Sequence, residues 1–225
     1  MRPLSNTEKA YKVIKEMIVS FELQQGFQVV EEDISTKLHM SRTPVREAIR
    51  KLASENLIEL VPRKGTFVKR FSLKDLVKIY EIAMGLEGTV SFLVTEKLVK
   101  GKLEASGIKE LKHHCENMNK FELENSIHKW IESDEAFHKT LYRLCDNMYI
   151  FDDCSKLRTQ LNVTLSNTIP TYLDMKSSNN EHQKLLAAIE KGDADEARMI
   201  MQKQHQRVRD TILKNSSLFN NKIYR

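Results

Sequence analysis

Residues 40–68 read MSRTPVREAIRKLASENLIELVPRKGTFV, and this stretch decides the fold of the first part of the chain. It begins with a helical pattern, because Ala48 and Leu52 recur at helical spacing. Pro44 stands in the first turn of that helix, where the N–H that it lacks would have no helical partner. Two short apolar runs follow, and a turn at residues 62–65 joins them, as in a β-hairpin. The stretch therefore predicts one helix and a small β-wing.

Two further helices are predicted upstream of this stretch. The segment NTEKAYKVIKEMIVSF repeats its apolar residues every three or four positions, and Gly26 ends the pattern. A shorter helix in VVEEDISTKL places Ile34 and Leu38 on one face. Three helices followed by a hairpin make a winged helix-turn-helix, so we expect residues 1–71 to form such a domain.

The predicted third helix carries side chains suited to DNA recognition. Arg42, Arg46 and Arg50 follow one another at intervals of four, and an arginine can donate two hydrogen bonds to guanine in the major groove. In the predicted wing, Lys64 precedes Gly65, where the absence of a side chain lets the backbone approach a phosphate. These residues predict double-stranded DNA as a partner.

Charge and composition narrow the class of protein. Residues 41–70 hold 8 Lys or Arg against 3 Asp or Glu, which favours an anionic partner, although a solvated basic surface gives the same count. The chain has no apolar run of about 18 residues and begins without the apolar core of a signal peptide. Its 3 cysteines are an odd number without a CxxC pair, as expected for reduced thiols. We therefore expect a cytoplasmic protein without a membrane partner.

The rest of the chain is predicted to be an all-helical antiparallel bundle, which makes the protein mainly α. Its first helix, from residue 72 to about residue 100, carries an apolar stripe of Leu76, Ile79, Ile82, Leu86, Val90, Leu93 and Val94. Later helices are expected at about 107–122, 124–145, 147–173, 179–191 and 194–214. Gly192 ends one helix, and Asp193 caps the next. We expect a domain over residues 72–215 and a tail over 216–225.

Four polar side chains lie in line with the apolar stripes of three predicted helices. Asp134 and His138 are four residues apart in IESDEAFHKTLYRL, residues 131–144, and therefore share a helix face. His182 and His205 lie on the apolar faces of two later helices. One carboxylate and three imidazoles are the ligand set of Zn, Ni, Mn or Fe. Spacing alone leaves open that each is a separately hydrogen-bonded core residue.

The stretch over residues 40–68 resembles the DNA-binding signature of the GntR-type bacterial transcription regulators. The matching residues are Ser41, Arg42, Thr43, Pro44, Val45, Arg46, Glu47, Ala48, Leu52, Leu57, Pro62, Gly65 and Val68. The resemblance and the chemistry together predict DNA contacts from Ser41, Arg42, Thr43, Arg46, Lys64 and Gly65. The chain departs from the family at His39, where a Gly is usual, and at Gln25, where a Pro is usual. Because His tolerates the left-handed region, we expect the turn at His39 to form.

Residues 72–215 resemble the helical, FCD-type ligand domain of the FadR-like branch of this family. DEAFHKTLYRLCDN matches its D-x-x-x-H helix, EHQKLLAAIEKGDADEAR matches its later histidine motif, and His205 falls where the last histidine is expected. The resemblance implies one divalent metal ion held by Asp134, His138, His182 and His205. Many members carry an Arg, associated with an effector carboxylate, where YEIAMGLE has Ala83. A small-molecule effector, such as an organic acid, would therefore need another group to hold it.

These features predict a DNA-binding transcription regulator, specifically a repressor, whose operator affinity is set by an effector bound at the metal site. We expect a homodimer held through residues 72–215, because two heads that read half-sites related by a two-fold axis require two subunits. One alternative is the same regulator with a purely structural metal or polar cluster. Another is a metal-dependent hydrolase, although four protein ligands crowd a tetrahedral metal and no carboxylate has obvious general-base spacing.

Overall fold

The structure is a computed structural model that describes residues 3–165 and 174–215. The predicted residues 166–173 of one helix and the tail over residues 216–225 lie outside that part of the chain. The described residues form two compact units. One unit runs to Ser72 and includes a segment that begins at Thr159, and the other comprises Leu73–Arg158 and the helices that follow residue 174. The structure confirms the predicted fold class of a winged helix-turn-helix and a helical bundle.

The first unit contains three helices and a two-stranded sheet. They are α1 (Asn6–Val19), α2 (Glu31–Lys37), α3 (Arg42–Ser54), β1 (Ile58–Val61) and β2 (Gly65–Val68). The helix α1 begins at a reciprocal cap, since the Glu8 N–H donates to Ser5 Oγ at 3.2 Å and the Ser5 N–H donates to the Glu8 carboxylate at 2.7 Å. Apolar residues of α1 and α3 form the core of the unit: Ala10, Ile14, Ile18, Val45, Ala48, Ile49 and Leu52.

The wing is closed by the predicted turn. The strands β1 and β2 pair antiparallel with Val61 opposite Gly65, and the Lys64 N–H donates to the Val61 carbonyl at 3.1 Å. Gly65 has a φ of +119°, a region that favours glycine, and a Cβ there would lie 2.8 Å from the Gln28 side chain. The backbone conformation therefore requires glycine here, whereas the flexible Gln28 side chain could move away from a Cβ.

The turn between α2 and α3 forms despite the residue that replaces glycine. His39 adopts a φ of +50°, and its N–H donates to the Thr36 carbonyl at 3.2 Å. This confirms the expectation that His occupies the left-handed region here. Gln25, in the place of the usual proline, accepts from the Phe71 N–H at 3.0 Å and donates to the Val163 carbonyl at 3.0 Å. A proline could make neither of these side-chain bonds.

The second unit is a helical bundle. Its helices are α4 (Leu73–Val99), α5 (Ala105–Leu123), α6 (Ile127–Cys145), α7 (Met148–Leu165, with residues to Arg158 in this unit), α8 (Met175–Lys191) and α9 (Ala194–Lys214). Gly192, at a φ of +80°, ends α8, and Asp193 accepts from the Glu196 N–H at 3.0 Å to cap α9. Both predicted helix ends are therefore confirmed. Among the described helices, none is both long and apolar enough to cross a membrane.

The buried face of α4 differs from the predicted stripe. Ile82 was expected in the core, but it is 52% exposed. Ala83 and Glu87 are buried instead, at 0% and 1% exposure. The physical reason is that the centre of this bundle contains polar groups. The face of α4 that turns inward therefore includes the Glu87 carboxylate, and it is not the face with the most apolar residues.

Candidate metal centre and nucleic-acid interface

Three of the predicted ligands meet in the core of the second unit. Asp134 and His138 lie on one face of α6, and His182 lies on α8. His182 Nε2 is 3.3 Å from His138 Nε2 and 3.3 Å from Asp134 Oδ1. The remaining separation, between His138 Nε2 and Asp134 Oδ1, is 3.8 Å. Both histidine side chains are almost fully buried, so the three atoms face one another away from water.

Hydrogen bonds at the other ring nitrogen fix the orientation of both histidines. His138 Nδ1 lies 2.6 Å from Glu87 Oε2, and His182 Nδ1 lies 2.7 Å from the Ser178 carbonyl oxygen. A carboxylate and a carbonyl only accept, so each Nδ1 carries the proton that it donates. In the neutral ring, each Nε2 is then left with a lone pair. Burial and the neighbouring His138 hold the pKa of His182 well below its usual range, which favours the neutral ring.

The convergence of these lone pairs fits a divalent metal ion. When both rings are neutral, two imidazole nitrogens and a carboxylate oxygen face one another without a proton between them, and such an arrangement is repulsive unless a cation neutralises it. Metal–ligand bonds of about 2.0–2.2 Å place neighbouring ligand atoms about 3–3.5 Å apart, close to the separations here. The Gln204 amide nitrogen lies 3.5 Å from His182 Nε2, at the outer limit of a hydrogen bond, and does not replace a cation.

Glu87 is a member of the site that the sequence analysis missed. Its carboxylate accepts from Tyr142 Oη at 2.7 Å and lies behind the His138 ring. Burial alone would raise the pKa of this carboxyl, but His138 and His205 together hold it well below its usual range. A carboxylate behind a ligating histidine orients the ring and increases its basicity. The available signal was the position of Glu87, one helical turn after Ala83 on the buried face of α4.

The fourth predicted ligand, His205, lies in the same core but faces Glu87. Its Nε2 is 3.1 Å from Glu87 Oε2, and its ring centre is 6.2 Å from that of His138. The short distance lacks the direction of a good hydrogen bond, so His205 Nε2 has no well-oriented partner among the described residues. The group of ligand atoms that lie close together comprises Asp134, His138 and His182.

Arg158 is a second residue of the site that the sequence did not signal. This side chain of α7 donates through Nη2 to Asp134 Oδ2, and the other carboxylate oxygen, Oδ1, faces the two histidines. Burial lowers its pKa, although Glu87 and Tyr80 act in the opposite direction. The site therefore contains a buried guanidinium next to the three converging lone pairs.

The first unit presents the residues expected to contact DNA. The six predicted residues are all exposed: Ser41, Arg42, Thr43 and Arg46 at the start of α3, and Lys64 and Gly65 in the wing. Ser41 precedes α3 as its N-cap residue but makes no capping hydrogen bond through its side chain. Arg42 Nη2 lies 2.8 Å from Glu32, and Arg46 Nη2 lies 2.8 Å from Glu31. Both arginines are thus paired with carboxylates of α2.

Comparison with known families agrees with this architecture. Residues 6–68 match the family described as bacterial regulatory proteins, gntR family, and residues 78–207 match the FCD domain. The chain belongs to the GntR family of transcription regulators, in the group whose second part is an FCD domain. Members of this family bind DNA operators and small-molecule effectors, the latter through the FCD domain, and FCD domains are often metal-binding. They are not enzymes, so the hydrolase alternative is removed.

Two relatives and one solved structure are similar to this chain and agree with its assignment to the GntR family. The gluconate operon transcriptional repressor of Bacillus subtilis is 33% identical over 150 residues, which cover 65% of this chain and 59% of the relative. The repressor RspR of Escherichia coli is 21% identical over 209 residues, 91% of this chain and 88% of the relative. The structure of E. coli McbR/YncC superposes with a TM-score of 0.80 at 19% identity, over 95% of this chain and 100% of that one. The last comparison shows a shared fold.

Proposed function

We propose that this regulator is a repressor whose operator affinity is set by a small molecule bound at a metal site in the helical unit. The observation that carries the proposal is the convergence of Asp134 Oδ1, His138 Nε2 and His182 Nε2 in the core, each within 3.8 Å of the others. Both Nδ1 atoms are engaged as donors, so the inward-facing nitrogens are free to ligate. A divalent metal of the Zn, Ni, Mn or Fe group suits this donor set.

The ion would be held by these three side chains, and His205 stays a predicted fourth ligand. For His205 to ligate, its ring would have to turn from Glu87 toward the other two histidines. When bound, the metal supplies a coordination position for an oxygen atom of the effector. That a relative is named as a gluconate operon repressor supports an organic acid as the class of effector.

The DNA-binding part of the proposal rests on the exposed residues of α3 and the wing. Arg42 and Arg46 would read base edges in the major groove, with Ser41 and Thr43 at the start of the helix. Lys64 and Gly65 would contact the phosphate backbone. A homodimer would place two such heads on an operator with two-fold symmetry. Sedimentation equilibrium of the full chain tests the dimer, and a monomer at micromolar concentration would contradict it.

Metal analysis and DNA binding together test the central proposal. Protein purified without chelators should contain about one metal ion per chain by mass spectrometry. His138→Ala should lose the metal, and it should melt at a lower temperature because a ligand that binds only the native state stabilises that state. His128→Ala is the matched control, since His128 lies exposed on the same helix.

Operator affinity separates sensing from a structural role. The probe is a duplex that the protein itself enriches from a random-sequence library. If the site senses an effector, chelation should change the response of DNA binding to added organic acids. A metal that affects melting but leaves DNA binding and its response unchanged would be structural. Wild-type protein without metal, with unchanged melting after chelation, would show that the cluster is only a polar part of the core.

A further inference from the structure

Arg42, at the start of α3, lies beside a carboxylate and still keeps most of its hydrogen-bond donors. Its Nη2 lies 2.8 Å from Glu32 Oε1, and both side chains are more than half exposed, at 57% and 68%. Arg46 differs, because its Nε and Nη2 both donate to Glu31. A guanidinium has five N–H donors in a planar fork. One contact at Nη2 therefore leaves Arg42 an edge that can form two parallel hydrogen bonds.

The Glu32 carboxylate also keeps part of its capacity to accept. Among the described residues, the ion pair with Arg42 is the interaction of this side chain, and it involves Oε1. An ionised carboxylate accepts at about four lone-pair positions on its two oxygens. Glu32 Oε2 is therefore available to a donor that approaches the exposed side of the pair. Asp33, the next residue of α2, is exposed too, but it has no such pair in the described part of the head.

This combination of groups matches the major-groove edge of one G·C base pair. Guanine presents two neighbouring acceptors, N7 and O6, and cytosine presents its N4 amino donor beside them. Arginine bonds both guanine atoms, and glutamate accepts from cytosine N4. An arginine and a glutamate in contact thus offer, side by side, the two donors and the acceptor that this edge requires. In an A·T pair, thymine presents the acceptor O4, which a carboxylate repels.

We propose that Glu32 is a specificity-determining residue, and that Arg42 and Glu32 together recognise one G·C base pair of the operator. Arg42 would donate to guanine N7 and O6 while its Nη2 stays beside Glu32, and Glu32 Oε2 would accept from cytosine N4. The inference rests on the proposed contact between Arg42 and DNA. It goes beyond that contact by naming the base pair and by assigning base recognition to an acidic residue of α2.

The charge of Glu32 sets a condition on this role. A carboxylate at the DNA surface opposes the attraction of the arginines to phosphate, so it weakens binding to every sequence. A hydrogen bond to cytosine offsets this cost only where the correct base pair is present. Glu32 would therefore lower the affinity for DNA in general and raise the preference for one sequence.

The test compares the base preferences of the full-length wild type with those of three variants. Each protein binds duplexes from a random-sequence library, and the bound duplexes are sequenced. Glu32→Ala should lose about tenfold of the preference for cytosine at one position, the loss expected for one base contact. Arg42→Ala should relax the preference at the same base pair. Asp33→Ala is the matched control, because it removes an equal charge from the same turn of α2, and it should keep the wild-type preference.

The variant Glu32→Gln gives a second measurement. An amide can accept from cytosine N4 and can also donate to thymine O4. Glu32→Gln should therefore bind an operator in which A·T replaces this G·C pair more tightly than the wild type does. Competition anisotropy between the two operators measures the difference.

The results separate this inference from the proposal on which it rests. If Glu32→Ala and Asp33→Ala strengthen binding to all sequences equally and leave the base preferences unchanged, Glu32 is only a repelling charge and its recognition role is overturned. Relaxation at a base pair that Arg42→Ala does not affect would overturn the shared G·C pair. Wild-type protein that selects no duplex would overturn both this inference and the proposed DNA recognition.

Discussion

The guanidinium of Arg46, on the exposed face of α3, is held by the carboxylate of Glu31 at the start of α2. Arg46 Nε lies 3.0 Å from both oxygens of Glu31, and Nη2 lies 2.8 Å from one of them. The hydrogen bond from Arg46 holds the pKa of Glu31 below its usual range. The same donors cannot serve Glu31 and guanine at once, so Glu31 would compete with DNA if Arg46 contacts DNA as proposed.

Removing this competing anion should strengthen binding to DNA of any sequence. Glu31→Gln leaves a neutral side chain beside Arg46, and the freed guanidinium can contact a phosphate. Affinity for a random-sequence duplex should therefore rise, and the slope of log K against log salt should steepen by up to about one unit. Fluorescence anisotropy at several salt concentrations measures both quantities. Glu22→Gln is the control, because Glu22 pairs with Lys37 rather than with an arginine of α3. Unchanged non-specific binding would show that Glu31 does not compete.

Arg46 and Lys64 should differ in what they contribute to operator binding. Arg46→Ala should weaken binding to a selected operator about tenfold to a hundredfold and should relax the preference at one base pair. Lys64→Ala should weaken binding to all sequences and reduce the salt slope by about one unit. Competition binding against operators with single base changes distinguishes the two effects. Wild-type affinity in both variants, with the fold intact, would remove these residues from the interface.

Replacing His39, whose backbone lies in the left-handed region, should increase the stability of the folded protein. A residue with a side chain at a φ of +50° costs roughly 1–2 kcal/mol relative to helical backbone, a cost that glycine avoids. Glycine also increases the entropy of the unfolded chain, and this offsets part of the gain. We therefore expect His39→Gly to stabilise the folded protein by about 0.5–1 kcal/mol. Thermal melting measures the change. His113→Gly, at an exposed position within α5, should instead destabilise by about 1 kcal/mol. Destabilisation by both changes would contradict the argument from φ.

Buried thiols should make the protein less stable in alkaline solution. Burial, and then the nearby Glu116 and Glu190, raise the pKa of Cys115 from 9.0 to about 12. Above pH 9.0, the ordinary pKa of the thiol, Cys115 loses its proton in the unfolded chain but keeps it in the folded chain. The contribution of Cys115 to stability is therefore complete below pH 9.0 and is lost as pH rises toward about 12. Melting curves should shift less with alkaline pH in Cys115→Ser than in the wild type.

Alkylation gives an independent measurement on the same thiol. Native protein at pH 8 should react with iodoacetamide far more slowly at Cys115 than protein in urea, since the thiolate is the nucleophile. Peptide mass spectrometry locates the label. Rapid labelling of native Cys115 would contradict both its burial and its raised pKa.

The first unit could be predicted from the sequence because its features depend on residues that are close together in the chain, and part of the helical bundle could not. The turn at His39, the wing glycine and the caps of the helices depend on neighbours within a few residues. The polar centre depends on residues far apart in sequence, such as Glu87 and His138. Spacing placed Asp134, His138 and His182 on buried faces, but only the packed helices bring their atoms together. A hydrophobic pattern marks Glu87 only by its position on the buried face of α4, and it cannot indicate that Arg158 turns inward, because an arginine would ordinarily be assigned to solvent.

The bond from His182 Nδ1 to the Ser178 carbonyl has a mechanical consequence. It ties the ring to the backbone of its own helix, at 2.7 Å, so the imidazole cannot swing without α8. His138, on α6, is tied to α4 through the side-chain carboxylate of Glu87. An ion coordinated by both rings would therefore fix the rotation and the axial position of three helices at one point. Sliding of α8 along α6 by even a fraction of a helical turn would then require a coordination bond to break.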